Sequence, residues 1–151
     1  MNEQISIDEF LNSLGKPKEF KEEKIEIFDK NINLFEEVKS YSDVCRLLGQ
    51  RELTHHDFNN ISPEYRKKIL AQAKLQQVEK LFNQDWVKDW ANKNQYKHNP
   101  YFNISTTGSL GFLGSEETCP ATYGVGAFYK DKETSDFVGK LFINLYTDII
   151  D

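Results

Sequence analysis

The sequence predicts an α+β fold: a small antiparallel sheet of about three strands packed against two long helices, with additional short N-terminal helices. Three observations carry this. An apolar stripe at helical spacing follows Ser62-Pro63, a second follows Asp131, and short extended runs lie between them. Five of the eight glycines fall within 108–126, where tight turns and close backbone approach would need them. At 151 residues there is room for one domain and a small extension.

Residues 1–40 read as an N-terminal helical extension and charged linker, and 41–151 as the α+β core domain. Ser6 can cap a short helix carrying Ile7, Phe10, Leu11 and Leu14, with Gly15 as its stop. Residues 16–24 form a solvated, charged linker, and Phe35 and Val38 keep helical spacing within an expected helix over about 31–39. Ser42 is the expected cap of a short helix that turns Val44, Cys45, Leu47 and Leu48 inward and ends at Gly49. Ser62-Pro63 starts a helix running to about Asn83. Its stripe is Ala71, Leu75, Val78 and Phe82, and its outer face carries Arg66, Lys67, Lys68, Lys74 and Lys80.

Residues 84–99 are polar, aromatic and aperiodic, hence a loop. Extended runs follow near 100–105, 109–114 and 121–130. Asp131 caps a final helix whose buried face includes Phe137, Val138, Leu141, Phe142, Leu145, Tyr146, Ile149 and Ile150.

Composition bounds the function. Charged residues are 28% of the chain and no apolar run approaches membrane-spanning length. The polar, acidic start has no signal-peptide pattern, and two cysteines cannot make a disulfide framework, so a reducing cytosol is the expected setting. The net charge of −5 opposes generic polyanion binding. The charge is uneven, however: residues 61–99 hold 8 basic and 4 acidic side chains, a local +4.

Catalytic patterns are scarce. His55 and His56 with Asp57 read as solvated loop residues, and neither CxxC nor HExxH spacing occurs for a metal. There is no GxSxG nucleophile elbow, and Cys45 reads as core. The glycines from Gly108 to Gly114 lack the Lys-Ser/Thr of a phosphate loop and read as hairpin turns. No enzyme, cofactor or metal is therefore expected.

One segment stands apart. Trp86 and Trp90, the only tryptophans, lie among Asn92, Lys93, Asn94, Gln95, Tyr96, Lys97 and Tyr101. Indoles, lysines and amides in that mixture can stack a planar ring, meet phosphate and hydrogen-bond base edges. The same residues can also close one end of a core while the amides satisfy a long loop's backbone.

The stretch from Asp85 to Phe102 follows the pattern DW-x-x-DW-x-N-x-NQYK-x-x-P-Y/W-F. It resembles a signature of small uncharacterised proteins encoded by Bacteroidota phages and prophages. Tyr41 to Gly49 is similar to the family's FEDAC-x-x-LG helix, and Gly139-Lys140 with Phe142, Leu145, Tyr146 and Asp148 is similar to its C-terminal ending. The likeness spans about residues 41–151. Lys88 replaces the family's proline, and His98-Asn99 its aromatic pair. The resemblance implies a mobile element in a bacterial cytoplasm and no mechanism.

The leading expectation is a non-catalytic phage-type accessory binding protein that captures a small nucleotide-like ligand or a host protein, antagonising host defence. Single-stranded nucleic acid binding across the basic block is the first alternative, and a structural or adaptor role in a phage assembly the second. No membrane partner is expected, and homo-oligomerisation stays open.

Overall fold

The computed structural model describes residues 32–118 and 126–150. The expected helix at Ser6 and the charged linker lie outside the described residues, as does the first half of the run over 121–130. Helices are α1 (Leu34–Glu37), α2 (Tyr41–Leu48), α3 (Pro63–Asn83), α4 (Lys132–Leu141) and α5 (Ile143–Ile150), with a short 3-10 turn at His55–Phe58. Strands β1 (Lys97–Ile104) and β2 (Leu110–Thr118) pair antiparallel. The class is α+β.

Local chemistry accounts for most boundaries. Ser40, not Ser42, caps α2: its hydroxyl accepts from the Asp43 amide and donates to the Asp43 carboxylate at 2.9 Å. That reciprocal pair needs an acidic residue three positions on, which Ser40 has and Ser42 lacks. Gly49 ends α2 at φ +63, returning its N–H to the Arg46 and Cys45 carbonyls. Pro63 opens α3, and Ala71, Leu75, Val78, Leu81 and Phe82 form its buried stripe.

The final apolar segment is two helices rather than one. Phe142 leaves the helical region at φ −108 and ψ 24, its N–H still bonded to the Val138 carbonyl. The break serves two different surfaces: α4 lies on the hairpin while α5 packs along α3. One straight rod could not cover both.

Among the described residues the sheet has two strands rather than the expected three. The third element contributes a single bridge, with His98 and Tyr129 exchanging both backbone hydrogen bonds at 3.0 and 2.7 Å. The next antiparallel pair would set Ala127 against Pro100, and proline has no N–H to give. On the other edge of this segment, α3 takes the free groups. Asn83 Nδ2 donates to the Phe128 carbonyl at 2.6 Å, and Asn83 Oδ1 accepts from the Lys130 amide at 3.2 Å. The segment is thus held between a helix side chain and one strand residue.

Between β1 and β2 the register shifts after Tyr101, which faces Gly114, whereas Phe102 faces Phe112. The extra residue, Leu113, makes a bulge, and Gly114 absorbs it at φ +152. The slip brings Ser115 round to α4, where its hydroxyl donates to the Asp136 carboxylate at 2.6 Å.

The core gathers Val38, Val44, Leu48, Leu75, Val78, Leu81, Phe82, Tyr129, Val138 and Phe142. Phe35 joins it edge-on to Phe137, ring centroids 5.0 Å apart. Among the described residues, core packing therefore extends ahead of residue 41 to α1. Cys45 is buried, as expected of a core residue.

Gly139 sets how closely α4 approaches the sheet. A Cβ there would lie 2.6 Å from Phe112 Cε2 and 2.7 Å from Pro100 Cβ. Gly139→Val should lower the free energy of unfolding by about 1–3 kcal/mol through overpacking, measured by chemical denaturation. An unchanged denaturation midpoint would mean that the helix–sheet contact is loose.

Candidate binding site

Residues 84–96 connect α3 to β1 and contain most of the sequence-predicted site. The connection begins under strain. Gln84 takes φ +48 and ψ −117, a region that costs a non-glycine residue about 1–3 kcal/mol. It turns the chain sharply, and the Trp86 amide then donates back to the Asn83 carbonyl at 2.8 Å. Asn83 therefore anchors the loop by its backbone and the 128–130 segment by its side chain.

The loop satisfies its own backbone. Asp89 Oδ1 accepts from the amides of Ala91 and Asn92 at 2.9 and 3.3 Å, and Asn92 Oδ1 accepts from Asn94 at 2.9 Å. These are two successive Asx turns. Gln95 spans the loop's width: its side-chain oxygen accepts from the Asp89 amide at 2.6 Å and its Nε2 donates to the Val87 carbonyl at 2.9 Å.

Lys97 is the centre of this arrangement. It is 0% exposed. Its ammonium donates to the Asp89 and Gln95 carbonyls at 2.8 and 2.9 Å and sits over the Trp90 ring, 5.0 Å from the centroid. Carbonyl dipoles and an indole face here stand in for the water a buried ammonium loses. Trp90 also meets Phe128 at right angles, centroids 5.2 Å apart, and Lys88 Nζ lies 5.7 Å from the Phe128 ring. Cations and rings alternate through this corner.

The predicted site residues therefore divide. Lys97 and Gln95 are committed to the loop itself, so the expectation that Lys97 meets a phosphate is corrected: its ammonium is enclosed. Trp90 is half-buried and packed between Lys97 and Phe128, while Trp86 is half-buried at the loop's start. Asn92, Lys93 and Asn94 are exposed at the loop tip, and Tyr96 and Tyr101 are 52% and 53% exposed. Of the two lysines expected to meet phosphate, only Lys93 presents its charge outward.

The basic block is largely engaged internally. Lys67 pairs with Asp148 at 3.1 Å, Lys88 with Glu79 at 2.5 Å, and Lys74 lies over the Tyr41 ring at 4.7 Å. Arg66 donates to the carbonyls of Asn59 and Ile61 at 3.3 and 2.9 Å. The +4 of this segment is thus no continuous free stripe.

Near the adjacent histidines, Asp57 accepts from the Thr54 amide at 2.7 Å and from the Arg51 guanidinium. The Arg51 hydrogen bond, reinforced by Thr54, holds its carboxyl well below the usual carboxylate range, so it stays an acceptor. His55 and His56 are exposed, with ring centroids 3.9 Å apart. Among the described residues no three His, Cys, Asp or Glu side chains converge as a metal-ligand group.

Sequence reasoning passed over Asn83 and Glu79, which lie four apart on α3. Glu79 binds Lys88 and accepts from the Phe128 amide at 3.3 Å. Two polar residues one helical turn apart beside an apolar stripe are the signal that could have found them.

No protein-family model matches the chain, and neither a curated protein nor a solved structure matches it. Among the described residues no helix is long and apolar enough to cross a membrane.

Lys97→Met should lower the free energy of unfolding by about 2–6 kcal/mol, since two carbonyl acceptors lose their donor at about 1–3 kcal/mol each. It should also red-shift tryptophan emission as Trp90 loses its cover. Denaturation followed by fluorescence measures both quantities, and a variant matching the parent in both would show that the lysine braces nothing.

Proposed function

We propose that this chain is a non-catalytic binding protein of the accessory kind that phages carry, capturing a small nucleotide-like ligand in a bacterial cytoplasm. Sequestering such a signal would antagonise a host defence that depends on it. A host protein docking on the same loop is the variant of this reading without a small ligand.

One observation carries the reading: the loop over 84–96 holds itself in place through Asp89, Gln95 and Lys97, and so leaves its tip unencumbered. A loop ordered before binding loses little entropy on capture. Its outward groups are complementary to a nucleotide in kind. Trp86 and Tyr96 supply ring surface, Asn92 and Asn94 supply donors and acceptors, and Lys93 supplies one positive charge. Nothing in this set is a nucleophile poised beside a base, which is why the reading is of recognition and not of turnover. The phage-type resemblance over about 41–151 supports the accessory role.

Calorimetric titration with linear and cyclic nucleotides should detect binding, with a change in tryptophan emission. Trp86→Ala should then weaken it by about tenfold or more, given about 1–3 kcal/mol per stacked base. Lys93→Ala should weaken charged nucleotides and leave the corresponding nucleosides unaffected. Silence across the panel, with tryptophan emission unchanged, removes the small-ligand reading.

A further inference from the structure

A cavity of about 460 Å³ is lined by residues of α3, α5, β1 and the segment at Gly126-Ala127. It shares only Lys88 with the loop over 84–96. It borders the interrupted ladder, where strand pairing stops after His98–Tyr129 because Pro100 cannot donate, and both Pro100 and Ala127 line it. The volume falls within the range of about 300–1,000 Å³ typical of small-molecule sites.

The lining is mixed in character. Phe102 and Tyr146 lie against each other, centroids 4.7 Å apart and inclined at 40°, and form a nearly continuous aromatic surface. Leu75 and Ile149 extend that surface. The lining also includes Gln72 and Gln76, one turn apart on α3 and both exposed, with amides that can donate and accept. The charged members, Glu79 and Lys88, are paired at 2.5 Å, so the lining carries a formal charge near zero.

We infer that this cavity is a second binding site, and that it takes a neutral, ring-sized heterocycle whose edge carries both a donor and an acceptor, the chemistry of a free nucleobase. The aromatic wall offers a face to stack on and the glutamines read the edge. A phosphate is disfavoured. Lys88 is already neutralised by Glu79, and that carboxylate would repel a second anion. Apart from Lys88, the site is separate from the loop over 84–96, since it uses neither tryptophan and nothing at the loop tip.

The test uses the full chain, isotope-labelled, titrated by NMR with adenine, uracil and their 5′-monophosphates up to millimolar concentration. At least one free base should shift the side-chain amides of Gln72 and Gln76 and the methyl of Ile149, while the indole N–H signals stay in place. The matching monophosphate should bind at least tenfold more weakly. The double variant Gln72→Ala/Gln76→Ala, altering exposed side chains only, should weaken the base by about tenfold or more with an unchanged Tm. The inference is overturned if no base shifts these signals, if the monophosphate binds as tightly as the base, or if the double variant binds like the parent. Shifts confined to the indoles would overturn it too while supporting the loop, so the two sites fail separately.

Discussion

A buried ammonium held by two backbone carbonyls organises this protein's most distinctive region. Lys97 is the first residue of β1, so its backbone belongs to the sheet while its side chain reaches back into the preceding loop. Because the charge is out of water, it must be answered by dipoles, and the Asp89 and Gln95 carbonyls can supply them only if the loop folds around it. The loop's two Asx turns, the Gln95 crosslink and the placement of Trp90 all conform to that requirement. A hydrophobic residue at the same position would fill space yet could not draw two carbonyls inward.

A second constraint acts on the sheet. Pro100 lies between the residue that bridges Tyr129 and the residue that stacks on Tyr146. Its missing N–H ends one edge of pairing, while its ring packs beneath Gly139 of α4. The small glycine lets the helix come close, and the proline keeps the other edge open. Asn83 then secures the segment that pairing alone would leave loose. One polar side chain on a helix thus satisfies the edge of the segment that faces away from β1. Where the ladder stops, a cavity begins.

Electrostatics separates what the chain carries from what it presents. The middle third has an excess of positive charge, yet Lys67, Lys88 and Lys97 are drawn into intramolecular partnerships. Composition counts charges without regard to their partners. A field that steers an anion arises from the unpaired remainder, which here includes Lys93 at the loop tip.

Periodic features were legible from residues alone. The α3 stripe from Ala71 to Phe82, the proline start, the Gly49 stop and the Asp131 cap depend on neighbours within a turn or two, so short-range spacing encodes them. The polar-aromatic loop was legible as a loop because it lacks any period. What only tertiary structure decided was how long-range partners divide the same residue types. Lys97 went inward and Lys93 outward, Gln95 became a crosslink, the last apolar stripe broke at Phe142 to cover two surfaces, and the described part of the third extended run makes one bridge to β1. The physical reason is common to these: a hydrogen bond or ring contact between residues distant in sequence depends on where the chain returns, and residue spacing carries no record of that return.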